Sequence, residues 1–415
     1  MKGKTWITIG FLLSLALAQV QEGVDLSRLA AFKAHLEAEV DQGRLPGAVF
    51  LVARNGRVVL HEAVGYLDPT TKASMSKEAI FRVYSMTKPL TSAVLTLQMV
   101  EEGRLFLTDP IALYLPEFRD LRVGVEKSQD GRSVLELASA PRPITIIYDL
   151  LRHTSGITYG IFSDSLVKQE YRKVGVDAVD QTPEEFLSKL ARLPLQFSPG
   201  SVWEYGNSTD LLGHLLEKIA GKSLAELMAE RIFKPLGMAD SGFQVPKEKW
   251  ERIAEPFRQD PFTRSPTPPA LNIREPPKRF SGGAGAVATA LDYYRFLQAL
   301  LNGGELAGKR ILSRKSVELL TRDHLGPLYL PSLQRGGPYL PGPGYGFGLG
   351  VAVRLSEGGS PLPGSAGDYF WAGLFGTYFF VDPKERLVGI YMMQNPGGRT
   401  YYAQLFRNAV YASLR

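Results

Sequence analysis

The chain has 415 residues, 44% hydrophobic and 22% charged, with a formal charge of +6. This is globular composition, long enough for a large core in two lobes. Cysteine is absent, which excludes disulfides, thiolate catalysis and zinc–thiolate sites, and without a dense Lys/Arg block the positive balance does not point to nucleic acid.

The chain opens with Lys2 and Lys4, then an apolar run from Trp6 to Leu17 that closes on Ala16-Leu17-Ala18. A basic start, an apolar middle and small residues at the exit predict a cleavable signal peptide over 1–18 and export to the periplasm or beyond. The run is shorter than the roughly 20 residues of a spanning helix. An uncleaved anchor is the alternative, and no later stretch predicts a membrane span. The remaining 19–415 are expected to form one functional unit.

Residues 26–40 carry Leu29, Phe32, Leu36 and Val40 on one helical face. Two β-rich runs, 48–53 and 58–64, flank Asn55-Gly56, the preferred pair for a type I′ hairpin turn. A helix is predicted after Ser85, with Leu90, Ala93, Val94 and Leu97 at helical spacing and Gly103 as its stop. A short helix over 145–152 ends at His153-Thr154-Ser155-Gly156. Thr182-Pro183-Glu184-Glu185 starts another, and 210–220 is a third, closed by Gly221. Residues 255–277 are proline-rich and read as a long ordered loop, and 292–301 as a helix. Residues 326–344 read as an apolar flap. The alternation of Gly344, Gly346, Gly348 and Gly350 predicts a strand with one bare face. A hairpin is expected over 377–381 and 387–393 around Asp382-Pro383, then a last helix over 401–414. Strands thus cluster at the two chain ends around a mostly helical middle.

Candidate chemistry is sparse. There are five histidines and no His-Glu-x-x-His, so His153 and His214 read as packing or hydrogen-bonding residues, and no metal is expected. Gly283-Ala284-Gly285-Ala286-Val287-Ala288 matches a dinucleotide fingerprint only formally. No βαβ unit surrounds it, so no cofactor is expected. Gly-x-Ser-x-Gly is absent; Ser365, in Pro363-Gly364-Ser365-Ala366-Gly367, misses it at the first position. Ser-x-x-Lys occurs three times, at Ser74–Lys77, Ser85–Lys88 and Ser165–Lys168. Only Ser85 opens a strongly apolar helix, whose start would surround the hydroxyl with backbone N–H groups while Lys88 lies on the same face. Tyr205-Gly206-Asn207 is the only Tyr-x-Asn. By residue type alone it reads equally as an N-cap cluster beside a packed aromatic.

Six segments in one order carry a resemblance: "FRVYSMTKPLTSAVLTLQMVEEGRLFLTDPIALYLPEF", "ITIIYDLLRHTSGIT", "FSPGSVWEYGNSTDLLGHLLEKIAG", "IFKPLGMADSGF", "FSGGAGAVATALDYYRFLQALLNGG" and "GYGFGLG". From about Leu45 onward the chain resembles the serine hydrolases related to class C β-lactamases, a group that includes family VIII carboxylesterases and penicillin-binding D,D-peptidases. The resemblance implies an α+β, β-lactamase-like (D,D-peptidase-like) fold. An antiparallel sheet from both chain ends, flanked by helices, would pack against a mostly helical lobe at roughly 85–280, with the site between them. It implies that Ser85 attacks the acyl carbon, that Lys88 and Tyr205 share its proton, and that Asn207 orients the substrate or the lysine. The Lys-Thr-Gly of penicillin-recognising members is missing. Trp371-Ala372-Gly373 stands at its place and resembles the esterase branch, with Leu374 supplying an oxyanion N–H beside that of Ser85. The expected function is an exported carboxylesterase on small acyl esters. The alternatives are a β-lactamase or D,D-peptidase on β-lactam-like substrates, or a non-catalytic wall- or peptide-binding relative. Leu328, Tyr329, Leu330, Tyr339 and Leu340 would offer the acyl group apolar surface, and Arg335 would be the cation for a carboxylate.

Overall fold

The computed structural model describes residues 20–142, 147–328 and 342–415. The expected signal segment, the first residues of the short helix at 145–152, and Tyr329, Leu330, Arg335, Tyr339 and Leu340 of the expected flap lie outside the described residues.

The run Ala48-Val49-Phe50-Leu51-Val52-Ala53 builds the centre of the molecule. Side chains on a strand alternate between faces. Val49, Leu51 and Ala53 enter one core, and Ala48, Phe50 and Val52 the other. Both faces are covered, which is why this strand is apolar throughout. Asn55 (φ 54°) and Gly56 (φ 78°) turn the strand Gly47–Arg54 back into Arg57–Asp68 as expected. On its other edge Gly47–Arg54 pairs antiparallel with Leu387–Met393, from Arg54 opposite Leu387 to Ala48 opposite Met393. The main sheet therefore closes from both chain ends. Its eight antiparallel strands run in the order Tyr345–Phe347, Ala352–Arg354, Tyr369–Ala372, Tyr378–Asp382, Leu387–Met393, Gly47–Arg54, Arg57–Asp68 and Ala73–Ser74.

Helices Leu26–Asp41 and Arg399–Ala412 cover one face through Phe32, Leu36, Phe406 and Val410. The other face meets helix Ala290–Leu301 and the helical stretch that begins at Tyr84. Thr182 caps its helix with a full capping box to Glu185, and Gly221 closes Ser208–Ala220 in the left-handed conformation. Residues 255–277 form the expected loop without helix or extended strand. Among the described residues no helix is long and apolar enough to cross a membrane.

Two expectations need correction. The middle of the chain contains an unexpected hairpin, Arg122–Gln129 with Arg132–Ser139, turned by Asp130-Gly131. The glycine run at 344–350 is not one strand. Only Tyr345–Phe347 is extended, because Gly344 (φ 82°) and Gly350 (φ 96°) turn the chain and cannot continue a pleat. Ser165 opens a short, mostly polar helix, Leu166–Val174, without a long apolar continuation.

Candidate active site

Ser85 lies in a single 3₁₀ turn, Tyr84–Met86, at the head of a continuous helical stretch that widens to π-type over Pro89–Leu95 and ends as α-helix at Thr96–Glu101. Widened turns of this kind are frequent at functional sites. Tyr84, just before the serine, has φ 45°, a left-handed conformation that costs a non-glycine residue about 1–3 kcal/mol. Two contacts hold it there. Its ring stacks on Phe375 at 4.6 Å, and its hydroxyl accepts from the Leu271 N–H at 3.2 Å. Burial raises the Tyr84 phenol to about 12, so it stays neutral.

Lys88 is fully buried one turn on. Its Nζ lies 3.3 Å from Ser85 Oγ, 3.3 Å from Tyr159 Oη and 2.8 Å from the Gly283 carbonyl. The lysine also sits over the Tyr205 ring, 4.6 Å from its centroid. Lys88 thus meets the face of Tyr205 and not its oxygen. The Tyr205 hydroxyl is buried and has no hydrogen-bond partner among the described residues. Its ring packs among His153, Tyr159, Phe162, Trp203 and Trp371.

Asn207 stands at the N-cap position of the helix Ser208–Ala220 without a side-chain cap bond, and its side-chain amide is spent elsewhere. It donates to the Thr158 carbonyl at 3.0 Å and to Asp177 at 2.7 Å. The residues are those of the Tyr-x-Asn motif, yet here Asn207 ties its loop to the Thr158–Tyr159 segment. His153 lies in the aromatic cage with no partner for either ring nitrogen among the described residues. Burial, then the charge of Lys88, push its pKa well below the ordinary value. His214 bonds Glu217 at 2.7 Å.

The strand Tyr369–Ala372 brings Trp371 and the turn after it to the serine. Ser85, Tyr205, Phe162, Phe370, Trp371, Ala372 and Leu374 line one small recess of about 30 Å³. Gly373 is required by close approach. A Cβ there would stand 2.2 Å from Thr377 Oγ1 and 2.5 Å from the Val83 carbonyl. Thr377 in turn donates to that carbonyl at 3.1 Å, which ties the strand turn to the residue two before the serine. Among the described residues, neither the Ser85 nor the Leu374 N–H is engaged in the turn and loop hydrogen bonds, whereas Gly373 N–H donates to Thr377 O. Trp371 is buried against Tyr205 and Phe347, with its indole N–H unpartnered among the described residues. Among the described residues that line the recess there is no cation. Arg399 lies behind the turn, donating to Leu374 O and Pro396 O at 3.2 Å, and burial lowers its guanidinium to about 10. A larger cavity of about 550 Å³ lies against helix Arg399–Ala412, which covers the sheet face away from the Tyr84 stretch. Cavity and recess share Phe370 and Ala372, and Tyr345, Tyr378 and Arg399 also line the cavity.

The structure therefore brings Ser85, Lys88, Tyr205, Trp371, Gly373 and Leu374 together and leaves Asn207 behind them. Sequence reasoning missed Tyr159, Asp210 and the Gly283 carbonyl. Tyr159 directly follows His153-Thr154-Ser155-Gly156-Ile157-Thr158, one of the segments that carries the resemblance, and that proximity was its only signal.

The Beta-lactamase family model matches residues 32–412. The chain is 33% identical over 376 residues to esterase EstB of Burkholderia gladioli, covering 85% of this chain and 88% of that protein. It is 30% identical over 376 residues to the lovastatin esterase of Penicillium rubens, covering 86% and 91%. Among solved structures, EstCE1, a hydrolase with promiscuous acyltransferase activity, superposes with a TM-score of 0.75 at 26% identity, over 93% of this chain and 99% of that one.

Proposed function

The chain belongs to the beta-lactamase family and is a serine hydrolase; from that premise we propose that it is an exported carboxylesterase working through an acyl-enzyme on Ser85. Lys88, 3.3 Å away, takes the hydroxyl proton as the oxygen attacks the acyl carbon. The uncommitted N–H groups of Ser85 and Leu374 face the developing oxyanion; donors of this kind are worth about 3–4 kcal/mol each. Lys88 then returns the proton to the departing alcohol, and the Tyr205 hydroxyl at the recess wall, without a partner among the described residues, is the group to hydrogen-bond that oxygen. Water then enters, gives its proton back along the same path and releases the acid.

The observation that carries the choice of substrate is Trp371. A β-lactam or a peptide C-terminus bears a carboxylate, which a cation on this strand would meet with a charge-assisted hydrogen bond. Trp371 offers ring surface and one N–H. The recess at Ser85 holds about one water-sized group, and its walls Phe162, Tyr205, Phe370 and Trp371 offer an acyl group aromatic surface. A second reading, as a β-lactamase, is favoured by Arg399, the guanidinium behind Leu374.

The test is kcat/KM for p-nitrophenyl butyrate against nitrocefin on one preparation. The ester should win by a wide margin. A larger value for nitrocefin would overturn the esterase reading in favour of the second. Export rests on the 1–18 segment, and the mass of the secreted protein should match a chain that begins near Gln19.

A further inference from the structure

Lys88 has three oxygens around it, and the structure dictates which way each hydrogen bond can run. Gly283 O is a carbonyl and only accepts. Tyr159 Oη can donate or accept, but its other neighbour is Asp210, whose Oδ2 lies 3.4 Å away. Asp210 is buried, and burial alone would raise its pKa. Arg279, paired with it at 3.2 Å, and the hydrogen bond from Ser281 work against burial and hold the carboxyl below its ordinary value. It is therefore a carboxylate and only accepts. Ser281 Oγ at 2.5 Å and Arg279 Nη1 at 3.2 Å donate to its Oδ1, which fixes Oδ2 toward Tyr159. Burial first, and next the Asp210 charge, push the Tyr159 phenol well above its ordinary value, so Tyr159 keeps its single proton.

We infer that Asp210 and Tyr159 set the direction of the hydrogen-bond chain at Lys88 and so aim the lysine lone pair at Ser85. The inference rests on the proposed roles of Ser85 and Lys88. Tyr159 gives its only proton to Asp210, which leaves an oxygen lone pair facing Lys88. A neutral amine has two N–H groups and one lone pair. Gly283 O takes one N–H and Tyr159 takes the other. The lone pair is left for the Ser85 hydroxyl, 3.3 Å away. When the serine attacks, its proton moves to that lone pair. The resulting ammonium has three N–H groups for the three oxygens, so no neighbour has to rotate. Asp210 and Tyr159 are positioning residues, since both act through Lys88. The other titratable groups facing the cluster are Tyr205, with its ring against Lys88, His153, kept neutral by burial, and Asp177 and Arg279 near Tyr159.

The test follows acylation by a fluorophosphonate probe, and kcat/KM for p-nitrophenyl butyrate across pH, in Tyr159→Phe and Asp210→Asn. Without the Tyr159 acceptor, one lysine N–H is free to compete for Ser85 Oγ, and acylation should slow by up to about 10²-fold. Asp210→Asn should slow acylation in the same way. It should also move the acid limb of the kcat/KM profile down by about one pH unit, because a negative charge that holds a proton on the cluster is gone. A merely structural role would lower the melting temperature and leave that limb in place. Should Asp210→Asn fail to fold, Tyr159→Phe decides alone, since it retains the Asp210–Arg279 pair. Ser85→Ala run beside them separates the failures. Full labelling of Ser85→Ala would refute the site reading itself. An unlabelled Ser85→Ala beside wild-type acylation in Tyr159→Phe would refute only the direction-setting role.

Discussion

Ser85–Lys88 and Ser165–Lys168 are the same four-residue motif, each at the start of a helical segment with a buried lysine, and they do different things. Lys168 meets the carboxylate of Glu204 at 2.8 Å. Ser165 is spent as an N-cap, accepting from Lys168 N–H at 3.0 Å and donating to Gln196 at 2.6 Å. That pair is a helix cap and an ion pair. Lys88 meets no carboxylate directly among the described residues. Its partners are a carbonyl, a phenol, the serine and an aromatic face. Ser85 is half-buried and lines a recess. The two lysines therefore differ in their partners: Lys168 faces a counter-charge, and Lys88 faces uncharged oxygens and the proposed nucleophile. The third copy, Ser74–Lys77, lies exposed at the sheet edge, with Lys77 3.5 Å from Glu62.

The largest expected effect breaks the comparison at the serines. Ser85→Ala should lose labelling by a fluorophosphonate and lower turnover of p-nitrophenyl butyrate by roughly 10⁶, the scale seen when a nucleophile is removed. Ser165→Ala and Ser74→Ala should label fully, as read by intact-protein mass. At the lysines the two effects divide by kind. Lys88→Ala should lower turnover by roughly 10²–10⁴. Lys168→Ala instead leaves Glu204 with only its hydrogen bond from Thr158 and no counter-charge in a mostly buried place, and should cost about 3 kcal/mol in urea denaturation, with the acylation rate of the folded fraction preserved.

A subtler test probes the apolar cage around Lys88. The pKa of His153 is lowered in the folded state, by burial first and by Lys88 next, so the unfolded chain binds the extra proton. Its contribution to stability is intact above the unfolded value of about 6.5 and is lost as pH falls below it. His153→Phe should flatten the fall in urea midpoint between pH 7.5 and 5, by at most about 1.4 kcal/mol per pH unit. An unchanged slope would mean that His153 takes up a proton in the native protein as readily as in the unfolded chain. The smallest effect is the cap itself. Ser165→Ala should cost about 1 kcal/mol and leave every kinetic constant alone.

What could be read from the chain was local. Asn55-Gly56 specifies its own turn because both residues tolerate positive φ, and Thr182 with Glu185 specifies a helix start three residues long. The spacing of Ser85 and Lys88 puts them one helical turn apart whatever the rest of the protein does. The Asp130-Gly131 turn was equally legible, but the strands beside it are mostly polar and exposed, so no alternation marked them. Distance along the chain hid the rest. The oxygens that complete Lys88 come from Tyr159 and Gly283, 71 and 195 residues away, and no pattern in a window of neighbours encodes them. Nor could spacing show that Lys88 approaches Tyr205 by its face, or that Asn207 turns to Asp177. The sequence by itself determined the backbone turns and the serine–lysine pair, because those are set by φ, by caps and by helical pitch. Only the tertiary structure decided which of three such pairs has an open hydroxyl and a lysine without a carboxylate, because burial and counter-charge are supplied by segments that meet when the chain folds.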